Sequence, residues 1–318
     1  MQARTLERLF IWPLAVIAAF FVPHIITSSY LMHIIVVSLM YAVLISSLNI
    51  MVGYVGEVSL AHPAFYGIGA YVSAILSTDS SFPFPSIFLL SGVIPAVFAC
   101  VIGAFSIKLR GVYFVMVSLA FTLIIYFISN NWVDLTRGPM GIVNIPYPQI
   151  GLPFLPELVV RTRTHFYYFI LILTIITVLF ITRLVRSRIG SFFVAVRENQ
   201  DLAESLGINI YKYKLIAFVL TALFAGWAGS FYCYYVRVVT PQVADFYYIV
   251  TFFIMLIAGG RGTIGGPILG AIIFSFIPEY LRVTAYLRDT VYGLLLIVTI
   301  YFLPEGIWPR IVEVFRRK

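Results

Sequence analysis

Few residue patterns in this chain have the types and spacing that chemistry requires. Gly260, Gly262 and Gly265 match G-x-G-x-x-G, but a dinucleotide site needs a strand before this motif and a soluble helix after it. The residues on both sides are strongly apolar instead. The sequence also lacks G-x-x-x-x-G-K-[ST] and G-x-S-x-G. It therefore carries no recognisable P-loop and no nucleophile elbow of its own.

Metal coordination and acid–base catalysis find equally little support. The four histidines are scattered, and no cluster of His, Cys and Glu has metal-ligand spacing, so we predict no metal site and no enzyme. Glu57 is the ionisable residue of most interest, because it follows Gly56 at the boundary of an apolar segment. Such a residue indicates function if it lies at membrane depth. The alternative is a carboxylate at the water interface that caps a helix beginning near Ser59.

Membrane spans are the elements that must position these residues. The chain has 318 residues, of which 61% are hydrophobic and 11% charged, with a mean hydropathy of +1.01. A soluble domain carries roughly 25% charged residues, and a span needs about 20 apolar residues. The candidate spans are 9–27, 31–52, 60–78, 86–107, 112–131, 165–182, 213–236, 246–258, 263–277 and 289–303. We predict an all-α, polytopic bundle that forms one transmembrane domain over 1–318. The number of spans is eight to ten, because the last three segments are short.

The net charge of +8 reflects membrane topology rather than nucleic-acid binding, because Lys and Arg cluster at the ends of spans. With ten spans and an internal N-terminus, 15 of the 21 basic residues lie on the cytoplasmic side. This bias predicts that both termini and the polar stretch 183–212 are cytoplasmic. The loop 132–164 is then external. It is rich in Pro and Gly, and a docking surface, a lid and a plain connector all remain open for it.

Two rows of small residues have the four-residue spacing that lets helices approach closely. They are Gly262, Gly266 and Gly270, and Ala222, Gly226 and Ser230.

Glycine-rich stretches also interrupt the apolar pattern at two places. Such interruptions in corresponding parts of two halves point to a transport path. The candidate lining is Gly53, Gly56, Glu57, Ser59, Gly259, Gly260, Gly262 and Gly265. The predicted topology places both interruptions on the same side of the membrane, which does not fit a simple inverted repeat.

The longest polar interruption between apolar segments runs from 183 to 214, and we call it the polar segment. Leu202, Leu206 and Ile210 recur at helical spacing, so they form one apolar face of a short amphipathic helix, and Gly207 is a plausible end for that helix. Such a face can dock into a groove of a partner protein. A helix lying on the membrane surface, or an ordinary loop, is the alternative.

Four sequence blocks together resemble a known family. They lie at 53–71, 109–121, 197–230 and 259–282, and begin GYVGEVSLAHPAF, LRGVYFVMVSLAF, RENQDLAESLGIN and GGRGTIGGPILG. The chain is similar to the permease subunits of branched-chain amino acid ABC importers, and to the M-type subunit more than to the H-type subunit. It departs from that pattern at Arg137 and Arg261.

The resemblance implies a subunit of the bacterial inner membrane whose cargo is leucine, isoleucine or valine. Its partners would be an H-type permease subunit, two cytoplasmic ATPases that bind ATP and Mg, and a periplasmic binding protein. This chain would hold no cofactor. The implied ATPase-coupling residues are Arg197, Glu198, Asn199, Ala203, Glu204, Ser205 and Gly207.

Two alternatives remain. The first is a similar permease for urea, short amides or other amino acids. The second is a self-sufficient secondary transporter or channel, although a proton-coupled carrier would be expected to show ionisable residues in mid-span.

Overall fold

The chain folds into a helical bundle, seen here in a computed structural model that describes residues 18–26, 28–79, 82–150, 158–280, 293–294, 297, 301 and 306–317. The helices are α1 (Ser29–Asn49), α2 (His62–Asp79), α3 (Phe84–Ser106), α4 (Val112–Asn131), α5 (Val133–Thr136), α6 (Arg163–Arg186), α7 (Arg188–Glu198), α8 (Gln200–Ser205), α9 (Ile210–Val236), α10 (Phe246–Gly259), α11 (Gly265–Tyr280) and α12 (Ile307–Arg317). A π-helical turn, Ile50–Val55, extends α1. The all-α prediction is confirmed.

Four two-residue strands occur in the described residues. They are β1 (Ile142–Val143), β2 (Gln149–Ile150), β3 (Leu158–Val159) and β4 (Val238–Val239). The antiparallel pairs are β1 with β4 and β2 with β3.

Five helices of the described chain are long and apolar enough to cross a membrane. They are Ser29–Val55, Phe84–Ser106, Val112–Asn131, Arg163–Arg186 and Ile210–Val236, and the apolar helices Phe246–Gly259 and Gly265–Phe276 are shorter. The predicted span 60–78 corresponds to α2, which lies in the interior. The predicted spans 9–27 and 289–303 fall largely outside the described residues, although 18–25 is helical.

Helix α9 runs through the centre of the bundle and packs closely against α2 and α3 through small residues. A methyl group at Gly226 would overlap the carbonyl oxygen of Ser91, and one at Gly69 would overlap the backbone of Gly226. Ser230 accepts a hydrogen bond from Ser73 at 2.7 Å. The row formed by Ala222, Gly226 and Ser230 thus faces neighbouring helices.

The other glycine row is divided between a turn and a helix. Gly270 packs against the backbone of Met255 in α10, and Gly266 packs against Gly259. Gly262 lies before the start of α11, in a turn with φ of 72°. Only the last two members of the predicted row therefore lie on the helix that packs.

Helix α2 begins inside the bundle rather than at its end. Gly56 ends the α1 extension in the left-handed region, with φ of 80°, and residues 56–61 then run back beside α1. His62 Nε2 lies 3.0 Å from the carbonyl oxygen of Leu44, eleven positions before Val55. Helix α2 therefore starts beside the Leu44 turn of α1, inside that end of the bundle.

Helix α4 satisfies the backbone of this re-entrant stretch. The Leu60 amide donates to Ser118 Oγ at 3.0 Å, and Thr122 Oγ1 donates to the Leu60 carbonyl at 2.7 Å. Non-helical backbone is tolerated at membrane depth only where protein or a water-filled cavity surrounds it. The two hydroxyl groups on α4 provide protein partners for both backbone groups of Leu60.

A second stretch enters the bundle from the opposite end. The chain leaves α9 through β4 and a 3-10 turn, Pro241–Ala244, and then begins α10. A methyl group at Gly67 of α2 would lie 3.3 Å from the Ala244 methyl. The half-helices α2 and α10 pass each other in the interior, where the Tyr66 and Tyr248 rings lie 6.0 Å apart and the His62 and Phe252 rings 5.6 Å apart.

We call the two ends of the bundle the polar end, which carries 187–209, and the loop end, which carries 132–162. The glycine-rich interruptions at Gly53 and Gly262 meet at the polar end. The stretch that corresponds to 56–61, by entering the interior from the other end, is therefore 240–245 at the loop end. The sequence analysis compared the two glycine-rich interruptions with each other and did not predict this correspondence.

Candidate coupling site

The polar segment is mostly helical. Capping residues divide it into short helices. The Asn199 side chain begins α8 by accepting a hydrogen bond from the Leu202 amide at 3.0 Å, and Asn209 begins α9 by accepting from the Lys212 amide at 2.9 Å. Helix α6 continues to Arg186, so the predicted loop 183–212 consists largely of α7 and α8 with short connections.

Gly207 ends this helical unit with a Schellman motif. The Ile208 amide donates to the Ala203 carbonyl at 3.0 Å, and the Gly207 amide donates to the Glu204 carbonyl at 2.9 Å. Gly207 has φ of 79°, in the left-handed region that favours glycine. The end of α8 is therefore held in one conformation.

The predicted apolar face of the segment is presented to the surroundings. Leu202 is 58% exposed and Leu206 72% exposed, whereas Ala203 between them is buried. Ile210 is half-buried at the start of α9. The bundle anchors α8 through Ala203 and leaves two leucines available for contact.

Charged residues surround these leucines. Arg110 contacts Asp201 at 2.9 Å and Glu204 at 3.7 Å, and all three side chains are more than 60% exposed. Exposed ion pairs of this kind contribute about 0–1 kcal/mol. They keep α8 beside the connection that precedes α4 but do not fix it strongly.

Arg197 joins the end of α7 to the first glycine-rich interruption. Its guanidinium donates to the Gly53 carbonyl at 2.9 Å and pairs with Glu198 at 2.7 Å. Gly56 packs against the Arg197 side chain, and a methyl group there would lie 2.6 Å from its Cγ. The predicted coupling residue Arg197 and the predicted path residues Gly53 and Gly56 are therefore direct neighbours.

Asn49 joins the two glycine-rich interruptions to each other. Its side-chain carbonyl accepts from the Gly262 amide at 2.8 Å, and its side-chain NH₂ donates to the Thr263 carbonyl at 2.8 Å. Gly53 and Gly262 approach so closely that a methyl group at Gly53 would overlap the Gly262 nitrogen. The interruptions form one packed unit at the polar end.

Glu57 is buried and paired with a cation from α9. Its carboxylate forms an ion pair with Lys214, and the two side chains are 8% and 2% exposed. Gln200 of α8 donates to the same Glu57 oxygen at 2.9 Å and accepts from Lys214 at 3.2 Å. The structure therefore places Glu57 below the surface, and its partners come from the polar segment.

Ser59 and the remaining predicted path glycines also lie at this end. Ser59 is buried and accepts a weak hydrogen bond from the Ala61 amide at 3.4 Å. Gly259 packs on Gly266, and Gly265 packs on the Trp308 ring. Gly260 lies against the backbone of Gly306.

A cavity of about 390 Å³ opens beside α8. Its walls come from 107–110 and 200–214, and Lys214, Gln200 and Glu204 are among the lining residues. The cavity reaches Lys214 of the buried ion pair, whereas Glu57 is not among its lining residues. The predicted path glycines are not among its lining residues.

Three residues of this site were missed by the sequence analysis: Lys214, Gln200 and Asn49. Lys214 carried a signal, because it lies one turn inside a long apolar helix and a buried cation needs a partner. Asn49 similarly interrupts an apolar span. Gln200 gave no sign that separates it from other polar residues of the segment.

The described residues show no group of three or more His, Cys, Asp or Glu side chains that could hold a metal ion.

The loop end is held by backbone pairing and one arginine. Strand β1 pairs with β4 through Ile142 with Val239 and Val143 with Val238. Arg237 donates from Nε to the Ile145 carbonyl at 2.7 Å, and its guanidinium lies 4.3 Å from the centre of the Tyr147 ring. The loop 132–164 is thereby attached to the stretch that enters the bundle at 240–245.

Residues 30–300 match the family model described as the permease component of the branched-chain amino acid transport system. The LivM proteins of Salmonella typhimurium and Escherichia coli, named as high-affinity branched-chain amino acid transport system permease proteins, are each 29% identical to this chain. The alignments cover 95% and 86% of this chain, and 75% and 68% of the relatives.

The LivH permease protein of Salmonella typhimurium is 26% identical over 85% of this chain and 91% of its own length. No solved structure matches the chain.

Proposed function

Because the chain belongs to the family of branched-chain amino acid transport permeases, we propose that it is the M-type permease subunit of an ABC importer for leucine, isoleucine and valine. It would act in the inner membrane with separate ATPase subunits. The resemblance in sequence to proteins named LivM, at 29% identity over most of the chain, supports this cargo.

The observation that carries the coupling role is the exposed apolar face of α8. Leu202 and Leu206 stand out from a helix that Ala203 anchors and Gly207 ends. An apolar helical face of this kind fits a hydrophobic groove on a partner. We assign that groove to the ATPase, and the predicted coupling residues Arg197, Glu198, Asn199, Glu204 and Ser205 all lie on or beside the same helical unit.

The basic residues support a cytoplasmic position for the polar end. Under the positive-inside rule, the excess of Lys and Arg in the loops of that end orients the chain with both termini in the cytoplasm. The loop end would then face the periplasm and receive the binding protein. The second permease subunit would be an H-type chain, since relatives are named both LivM and LivH.

The proposed mechanism is alternating access. ATP binding favours one arrangement of the ATPase pair, and the bundle follows because α8 is attached to it. Helix α9 continues from the polar segment through the centre of the bundle and carries the movement inward. The glycines of the two interruptions are the proposed lining of the path at the polar end.

The charge of the interior suits a zwitterionic cargo. Apart from His62, the buried ionisable side chains among the described residues that carry a formal charge are Glu57 and Lys214. Their charges neutralise each other. A path with little net charge accepts an amino acid whose own charges cancel. Urea and short amides are neutral as well, so they are the alternative cargo.

Reconstitution tests the proposal. The chain is purified with the products of its neighbouring genes and placed in proteoliposomes, and uptake of leucine and of urea is measured with and without internal or external ATP and with the cognate binding protein. ATP-dependent leucine uptake is expected. Failure of any ATPase to co-purify would overturn the importer, and uptake of urea but not leucine would overturn the cargo.

A variant then tests the coupling surface. Glu204→Arg combined with Gly207→Trp places a bulky side chain at a left-handed position and reverses a charge beside the exposed leucines. ATP-driven uptake is expected to fall at least tenfold while the chain still assembles with its second permease subunit. Unchanged uptake would remove α8 from the coupling surface.

A further inference from the structure

The buried ion pair between Glu57 and Lys214 joins three separate parts of the chain. Glu57 lies in the re-entrant stretch, Lys214 lies at the start of α9, and Gln200 on α8 contacts both of them. The pair is nearly inaccessible, with side chains 8% and 2% exposed. A buried pair is costly to form and often contributes no net stability. Its position at this junction therefore calls for another role.

The re-entrant stretch has little freedom between this pair and α2. Four residues separate Glu57 from His62, and the backbone between them is held by Ser118 and Thr122 of α4 through Leu60. A displacement of Glu57 must therefore either stretch this segment or move the beginning of α2. Helix α2 packs against α9 farther along, through Gly69 and Ser73, so we expect a movement of its start to reach that contact.

The cavity beside α8 lies between the surface of the polar end and the residues around the ion pair. Its lining includes Gln200 and Lys214 together with exposed Glu204. Arg110 joins the connection at 107–110 to α8 through exposed ion pairs with Asp201 and Glu204, and we expect such exposed pairs to rearrange at little cost. A shift of α8 carries Gln200 with it, and Gln200 is hydrogen-bonded to both members of the pair.

We propose that Glu57, Lys214 and Gln200 form a positioning linkage that makes the start of α2 follow the movement of α8. This inference rests on the proposed function, since it supplies the step between the ATPase surface and the interior. The three residues act through others and do not contact the cargo.

The linkage is tested in the whole transporter with Glu57→Gln combined with Lys214→Met. This pair of changes removes both charges together, so neither is left buried without a partner. We expect normal assembly, ATP hydrolysis within twofold of wild type, and cargo uptake per ATP hydrolysed at least tenfold lower. Arg183→Gln is the matched control, because it removes an exposed charge near the end of α6, outside α8 and outside the linkage, and its uptake per ATP is expected to remain unchanged.

A distance measurement keeps the test independent of whether the neutral pair assembles. Spin labels at Val58→Cys and Asp201→Cys, both exposed positions, are placed in a chain whose own cysteines are removed by Cys100→Ser and Cys233→Ser. They report whether the re-entrant stretch and α8 move together. The distance between the labels is expected to stay within about 2 Å in all nucleotide states if the linkage holds, on the scale of small helix shifts.

The outcomes separate this inference from the proposed function. If the wild-type complex takes up no cargo with ATP, the proposed function fails. If the wild type transports and the neutral pair transports with the same uptake per ATP, or if the two labels separate during the cycle, the linkage alone is wrong.

Discussion

The two ends of the bundle each attach a surface element to a stretch that enters the interior, but they do so with different chemistry. At the polar end, the attachment is made by side-chain charges, with Glu57 and Lys214 in a buried pair. At the loop end, backbone pairing between β1 and β4 makes it, reinforced by Arg237. Backbone pairing holds one register, whereas a contact between side chains can be rearranged. We therefore expect any movement of the bundle to be larger at the polar end than at the loop end.

Removal of one member of the buried pair should have the largest effect on stability. Lys214→Met leaves the Glu57 carboxylate buried without a cation, and breaking such a pair costs about 3–5 kcal/mol. Thermal unfolding of the purified complex should show a clear fall in Tm. The double variant with Glu57→Gln should recover most of the loss. Equal loss in single and double variants would show that the charges themselves are not the cause.

Exposed leucines at the polar end should matter for association rather than stability. Leu202→Asp with Leu206→Asp removes two apolar side chains, each worth about 1.5–3 kcal/mol when buried against a partner. Binding of the ATPase, measured by titration against the detergent-solubilised permease pair, should weaken at least tenfold. The Tm of the permease pair alone should stay the same, since both leucines are exposed. A fall in Tm without weaker binding would place these residues in the bundle instead.

The loop end should show a moderate effect on shape. Arg237→Met loses the hydrogen bond to Ile145 and the contact with the Tyr147 ring, together worth about 1–3 kcal/mol. We expect faster hydrogen exchange at the β1 and β4 amides and a several-fold higher concentration of binding protein for half-maximal ATPase stimulation. Unchanged exchange would mean that strand pairing alone maintains the loop.

The smallest effect belongs to the exposed ion pair at the polar end. Arg110→Gln removes contacts with Asp201 and Glu204 that are open to solvent, and such pairs contribute about 0–1 kcal/mol. The Tm should change by no more than about 2–4 °C for a protein of this size, and the change should disappear in high salt. A large shift would show that surface charge, rather than the buried pair, holds α8.

The sequence predicted the helical class and the general position of most spans, because long apolar segments can be recognised without a structure. It also predicted the short helix around Leu202 and its end at Gly207, where spacing and a single glycine suffice. It did not predict that α2 begins inside the bundle. That feature depends on hydrogen bonds from Ser118 and Thr122 to Leu60, and hydroxyl groups in apolar spans carry no sign of their distant partners.

The candidate site was only partly predictable for a similar reason. Glu57 stood out as a charge at an apolar boundary, and the sequence left interface and membrane depth open. The structure buries Glu57 within the protein, against a partner 157 positions later in the chain. Such a pairing is a property of the tertiary fold and cannot be inferred from local spacing.

The interior start of α2 has a consequence for how this protein is made. Residues 56–61 cannot enter lipid alone, because their backbone groups need partners there. Leu60 finds them 58 and 62 positions later, on α4. We therefore expect this stretch to stay outside lipid during synthesis until α4 has emerged, so that its insertion follows the synthesis of a span later in the chain.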